Sequence, residues 1–302
     1  MNRTCSALLA AALLIPAAFA NDKSKDKPKK GPDEIGNANP GKGVNFYSLE
    51  REIALGRQMA LEVERESRTV YDSAVAEYVN RLGQNLVRNS DAKVPFTIKV
   101  LDSDEVNAFA LPGGFMFVNT GLILKAENEA ELAGVLSHEI AHVAARHGTR
   151  QATRGELINY ASIPLIFMGG WAGYAIRQAA QLAVPLGFLK FSRGMEMEAD
   201  HLGLQYLYKT GYDPIAFVDF FERIETIEKK RPGSIARAFS SHPMTNDRIH
   251  HAQKEIQNEL KAQSEYVLDT SEFHDVHDRL ARIDERRKGN QNPYLPVLRR
   301  RN

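Results

Sequence analysis

Two histidines four residues apart with a glutamate beside the first, His138-Glu139-Ile140-Ala141-His142, constrain this chain more than any other feature. On an α-helix, residues four apart lie on nearly one face, so both imidazoles can serve one metal ion while Glu139 stays within reach of bound water. A catalytic zinc site normally has three protein ligands and an open position, so the fold must bring a further ligand to this helix from elsewhere. Taken alone, the pentapeptide also fits a chance match on a surface helix. Its flanks argue for a well-built helix: Asn128 is a candidate N-cap with Glu131 three residues on, and Glu127 and Glu129 suit the positive helix end. Gly148 marks the expected stop. Leu132, Leu136, Ile140 and Val143 form one apolar stripe, which leaves His138 and His142 on an adjacent face, turned toward a cleft.

The run Ser192-Arg193-Gly194-Met195-Glu196-Met197-Glu198-Ala199-Asp200 opens a second helix that runs toward Gly211. It presents Glu196 and Asp200 four apart on one face, with Glu198 pointing the other way. Glu196 is the candidate third ligand. Asp200 is the candidate acceptor for the free N–H of a ligating histidine, whose tautomer it would fix. The alternative is a pair of acidic residues stabilised by a helix N-terminus. His147 reads as a packing or hydrogen-bonding residue at a helix end, where the dipole favours its charged form. His201, His250, His251, His274 and His277 show no partner pattern.

Before the motif, Glu50–Glu64 and Ser73–Arg88 carry apolar residues at helical spacing, and Phe96–Leu101 alternates as a strand. Gly114–Asn119 reads as a second strand after the Leu111-Pro112-Gly113-Gly114 turn signal, with Asn107–Ala110 between the two. The glycine pair suits either a close backbone approach by a substrate or a plain tight turn. The expected class is therefore α+β, mostly helical, with a small sheet ahead of an active-site helix.

The organisation expected along the chain begins with a signal peptide over 1–20: Arg3, an apolar core Ser6–Ile15 and a small-x-small cleavage site at Ala18-Phe19-Ala20. The single cysteine, Cys5, would leave with it, so an exported chain would rely on its core and a metal for stability. Residues 21–43, rich in Lys, Asp, Gly, Pro and Asn, have the composition of a solvated linker. Residues 44–260 suffice for one sizeable domain, and 261–302 for a C-terminal helical extension with a basic tail around Arg286-Arg287-Lys288 and Arg299-Arg300-Arg301. A formal net charge of +1, with acids and bases interspersed, offers no basic face for nucleic acid. Residues 157–176 carry no charge, but Pro164, Gly169, Gly170 and Gly173 interrupt them, which favours an apolar helical hairpin over a span and suggests peripheral membrane contact through 157–190.

The pairing of His138-Glu139-x-x-His142, followed by Arg146-His147, with Ser192-Arg193 and Glu196-x-Glu198-Ala199-Asp200 resembles the zinc endopeptidase family that includes the prenyl-protein (CAAX) endopeptidases, HtpX and the periplasmic BepA-type proteases. Asn107–Gly114 is similar to that family's segment ahead of the zinc helix. The likeness covers roughly Phe46 to Leu260. It implies a gluzincin fold, helices around a small sheet whose edge strand binds peptide in extended form. It implies one Zn2+ per chain held by His138, His142 and Glu196, with Glu139 as catalytic base and Asp200 assisting. It also places the His242-Pro243 segment near the metal, where His242 would either donate to the oxyanion or cap the zinc as a fourth ligand. The chain departs from the membrane members in lacking their multiple transmembrane helices, and from the BepA type in lacking a long helical-repeat extension.

The expected chemistry is peptide-bond hydrolysis in envelope proteins, misfolded ones among them, by an exported, periplasmic protein that is a candidate for association with the outer membrane. Zinc lowers the pKa of water from about 15.7 toward about 7, and Glu139 takes the proton and returns it to the leaving amine. The rival is a zinc-bearing chaperone or assembly factor, which makes no use of Glu139. A structural zinc site would need four protein ligands.

Overall fold

Apolar residues at helical spacing near the start of the chain produce α1 (Leu49–Glu66) and α2 (Ser73–Arg88), close to the expected bounds. Ser48 and Asp72 cap them by accepting from the backbone N–H of Arg51 and Val75. These elements come from a computed structural model that describes residue 35 and residues 39–155, 191–230, 242 and 245–290.

A three-stranded sheet follows, with β1 (Thr97–Leu101), β2 (Ala108–Leu111) and β3 (Phe115–Asn119) in the order β1-β3-β2. β1 runs parallel to β3, and β2 antiparallel to it. Sequence alternation marks β1 and β3 but not β2. That strand forms because Gly113 and Gly114, at φ +77° and +91°, fold the chain straight back onto β3. The turn sits under α1, where a Cβ on Gly56 would lie 1.7 Å from the Pro112 carbonyl oxygen, so only glycine permits this approach.

After the short α3 (Thr120–Lys125), α4 (Glu129–Ala144) carries the two motif histidines. Asn128 caps it, accepting from Glu131 N, while the Glu131 carboxylate reaches back to Glu127 N. The later helices are α5 (Arg193–Lys209), α6 (Ile215–Lys230), α7 (Asn246–Asn258) and α8 (Ser271–Asn290). All 16 residues of α4 are buried. The expected division into an apolar stripe and a cleft-facing side is therefore corrected: α2, β2, α5 and α6 pack around the helix on every side.

The expected stop at Gly148 is corrected as well. α4 ends at Ala144, Arg146 takes φ +56°, and the chain is helical again over 147–155. Tertiary bonds offset the strain of a left-handed arginine: its guanidinium donates to Glu52 Oε2 at 2.7 Å and to Tyr47 O at 2.6 Å.

α8 brings Phe273, Val276 and Leu280 into the main core. Arg286, Arg287 and Lys288, expected in a tail, instead lie in this helix, with Arg287 paired to Asp102, Asp104 and Asp284. Among the described residues no helix is long and apolar enough to cross a membrane. The expected signal segment 1–20, most of the expected linker 21–43, the run 157–176 with its suggested membrane contact over 157–190, and Arg299–Arg301 lie outside the described residues.

Candidate metal centre

The second helix reaches the first because of one glycine. A Cβ on Gly203 of α5 would meet His138 Cα and N of α4 at 3.1 Å, so the bare backbone lets the two helices lie close together. Ser192 starts α5 by accepting from Met195 N, which sets the helical phase that turns Glu196 and Asp200 toward α4.

Donor atoms of His138, His142, Glu196 and His242 all lie within 4.8 Å of one another, and all four residues are buried. His138 Nε2 and His142 Nε2 face each other at 3.0 Å. Glu196 Oε2 is 3.5 Å from the first and Oε1 3.6 Å from the second. His242 Nδ1 lies 2.9 Å from Glu196 Oε1, and its Nε2 lies 3.8 Å from Glu139 Oε1. Asp200 Oδ1 sits 3.1 Å from His138 Nδ1, on the side of the ring away from the cluster.

Burial and close charges set the protonation of these groups. Burial pulls the His138 imidazole down, but Asp200 and Glu196 outweigh it and hold its pKa up to about 9. Burial, with the imidazoles of His138 and His242, holds His142 well below the usual histidine value. Burial raises Glu139. Glu196 and Asp200 resist the same burial and stay below the usual carboxylate range, the former through His138 and His242, the latter through Arg248 and His138.

Glu139 is anchored to the sheet, since Ala110 N donates to its Oε2 at 3.2 Å, and its buried Oε1 meets no hydrogen-bond donor among the described residues. The register explains why that amide is available. Asn119 N bonds Asn107 O, so in the alternating antiparallel ladder Phe109 and Leu111 face β3 while Ala108 and Ala110 turn their backbone groups to the outer edge of β2, where Ala108 is buried and Ala110 partly exposed. Phe191 stacks on the His142 ring at 4.2 Å between centroids.

Sequence reasoning missed Arg248. Its Nε and Nη2 grip Asp200 Oδ2 and Oδ1, each at 2.7 Å, its Nη1 lies 2.9 Å from Glu196 Oε2, and Nη1 also donates to His242 O at 3.4 Å. A signal was present: Thr245 caps α7, and the position three residues on, where a capping box places Glu or Gln, holds a cation against the helix dipole. Glu198 does point away from Glu196 and Asp200, yet it has a function-facing partner, His147 Nε2 at 3.1 Å. Burial lowers the His147 pKa, so the charged form expected from the helix dipole is corrected to the neutral one. His201 also has a partner, with its Nδ1 2.5 Å from Glu255 Oε1.

These residues fit a divalent cation. Two imidazole nitrogens 3.0 Å apart approach the separation of about 3.3 Å that ligands at ~2.0 Å from one tetrahedral ion would have. Glu196 and Asp200 share the one guanidinium of Arg248, and Glu139 is buried beside them, so the site has negative charge left for a cation to balance. In the metal-free chain the His138 proton supplies part of that balance.

The family model of Peptidase family M48 matches residues 73–256, a span that includes every residue of the cluster. The chain is 32% identical over 256 residues to the putative beta-barrel assembly-enhancing protease of Vibrio cholerae, covering 82% of this chain and 51% of that protein. It is 29% identical over 222 residues to the beta-barrel assembly-enhancing protease of Yersinia pestis, at 71% and 45% coverage. It is 31% identical over 174 residues to the mitochondrial metalloendopeptidase OMA1 of Schizosaccharomyces pombe, at 57% and 50% coverage. The chain thus spans about half the length of these relatives.

Proposed function

The chain belongs to Peptidase family M48, and from that membership we infer that it is a zinc-dependent endopeptidase acting on proteins of the cell envelope in quality control. The observation that carries the reading is the convergence of His138, His142 and Glu196 on one point, with Glu139 beside it and pinned to the outer edge of the sheet. His138, His142 and Glu196 would hold the zinc. When bound, it acidifies water and polarises a carbonyl oxygen.

The protein's own residues do the rest. An extended peptide adds to the outer edge of β2 beside Ala110, the partly exposed residue of that edge, through its outward C=O, which brings the peptide's carbonyl alongside Glu139. Glu139 Oε1 accepts the proton of water and returns it to the leaving amine, and the raised pKa from burial suits a group that must do both. Asp200 Oδ1, 3.1 Å from His138 Nδ1, is placed to take that N–H, which would keep Nε2 free as a ligand atom. Arg248 holds Asp200 in place. The position of His242 Nδ1 beside Glu196 Oε1 supports the reading in which this residue is a fourth donor of the resting site.

Export rests on the residue pattern of 1–20, and the envelope setting draws on relatives named beta-barrel assembly-enhancing proteases. The test is digestion of unfolded casein and of unfolded outer-membrane proteins, with chelator and after zinc is restored. Zinc-dependent cleavage at internal peptide bonds is expected. Zinc binding without turnover under any condition would overturn the enzyme in favour of a zinc-bearing binder.

A further inference from the structure

His138 and His142 are supported differently. His138 has a carboxylate directly behind it, Asp200 at 3.1 Å. Behind His142 stands another imidazole: His142 Nδ1 and His147 Nδ1 are 2.8 Å apart, with the rings edge to face at 71°. His147 is fully buried, and its other nitrogen meets Glu198 Oε2 at 3.1 Å. Glu198 is itself tethered, accepting from Arg150 Nη1 at 3.0 Å and from the backbone N–H of Gly41 at 3.3 Å.

We propose that His147 is a positioning residue for the metal centre, which fixes the tautomer and ring plane of His142 through a relay anchored on Glu198 and, beyond it, on Gly41 and Arg150. The inference rests on the zinc reading above. A carboxylate only accepts, so His147 Nε2 carries the proton toward Glu198. A neutral imidazole has one N–H, so His147 Nδ1 is then a bare acceptor, and His142 Nδ1 must donate to it. The lone pair of His142 therefore lies on Nε2, the atom that faces His138 Nε2 and Glu196 Oε1. Each link dictates the next, and the direction of the chain is set by its charged end.

The local fold serves this relay. Were α4 to continue without a break, His147, five residues after His142, would be carried round to a different face of the helix. The left-handed turn at Arg146 lets it fold back beneath the His142 ring instead. Gly41 is part of the same construction. At φ +76°, with a Cβ position only 2.4 Å from Ala145 O, it alone allows residues 39–43 to cross the end of α4 and deliver an amide to Glu198.

Zinc affinity by competition with a chromophoric chelator, and the visible spectrum of the cobalt-substituted protein, test this in the full chain. His147→Ala is expected to weaken zinc binding ~10–100-fold and to alter the cobalt spectrum, as loss of an outer partner of a ligating histidine does. His147→Asn places an acceptor where Nδ1 was and should recover about tenfold of that loss, whereas His147→Gln, which reaches Glu198 but offers His142 nothing, should not. Packing alone would make the two amides equivalent. A folded His147→Ala with wild-type zinc affinity and spectrum, or an Asn variant as weak as Ala, overturns the proposal. Should the His147 variants fail to fold, Glu198→Ala is read in their place: a several-fold loss of zinc affinity supports the relay and an unchanged affinity overturns it. Wild-type protein that holds no zinc would instead overturn the zinc reading itself, an outcome visible before any variant is made.

Discussion

Glu139 has two oxygens in different surroundings: Oε2 accepts from the Ala110 amide, and Oε1 faces the cluster. Its replacement by glutamine keeps the size of the side chain but removes the base. Glu139→Gln should therefore bind zinc one to one, measured by metal analysis, and lose at least ~10²–10⁴-fold in kcat. His138→Ala, His142→Ala and Glu196→Ala should lose the metal instead. Full turnover in Glu139→Gln would sink the assignment. His138 gives a second prediction, for the chelated protein. Its pKa in the fold is about 9 against an ordinary 6.5, so its stabilising contribution is complete below about pH 6.5 and lost as pH rises toward 9. Raised Glu139 acts in the same direction, the lowered Glu196 and Asp200 have their contributions complete below that window, and those of the lowered His142 and His147 are complete once pH is about one unit above the ordinary histidine value. The thermal midpoint without metal should fall from about pH 7.5 to 9; a flat or rising midpoint over that range contradicts the His138 geometry. Of the residues in this network, His138, Glu139, His142, Glu196, Asp200 and His242 were readable as candidates. Arg248 and the His147–Glu198 pair were not, because the carboxylates they hold lie 48 and 51 positions away.

At the scale of elements, α4 and α5 are legible because caps and periodicity are local: Asn128 and Ser192 start both helices where their side chains predict. Their separation is not legible, and it rests on Gly203. A methyl group there would press on His138 backbone atoms that cannot swing aside. Gly203→Ala should push α5 from α4 at a cost of about 1–3 kcal/mol in stability, and weaken zinc binding further because Glu196 retreats from His138. Denaturant unfolding of the chelated protein and zinc competition separate the two effects; an unchanged zinc affinity contradicts the account. β2 escaped the sequence for a related reason. Its four residues become a strand through the glycine turn and the partner strand β3, and its outer edge exists only in the assembled sheet.

Across the whole molecule, α8 is tied to the start of α4. The buried Glu129 carboxylate accepts from the hydroxyls of Tyr78, Tyr212 and Thr270, and Asp269 accepts from Glu129 N, so residues just ahead of α8 secure the helix that bears the histidines. Leu280→Ala, which empties a buried position on α8, should cost ~2–5 kcal/mol in denaturant unfolding while the folded fraction keeps its zinc. Loss of zinc from folded Leu280→Ala would show that α8 governs the site directly. The sequence by itself determined the chemistry: which side chains can ligate and which can move a proton, and the helical spacing that puts them on common faces, since these are properties of residue type and of a backbone period. Only the tertiary structure decided that α4 would be enclosed on all sides, that Ala110 would present its amide to Glu139, and that His142 would lean on a second histidine. Those outcomes depend on contacts between segments far apart in the chain, and such contacts are fixed by how whole elements pack, not by the order of residues within any one of them.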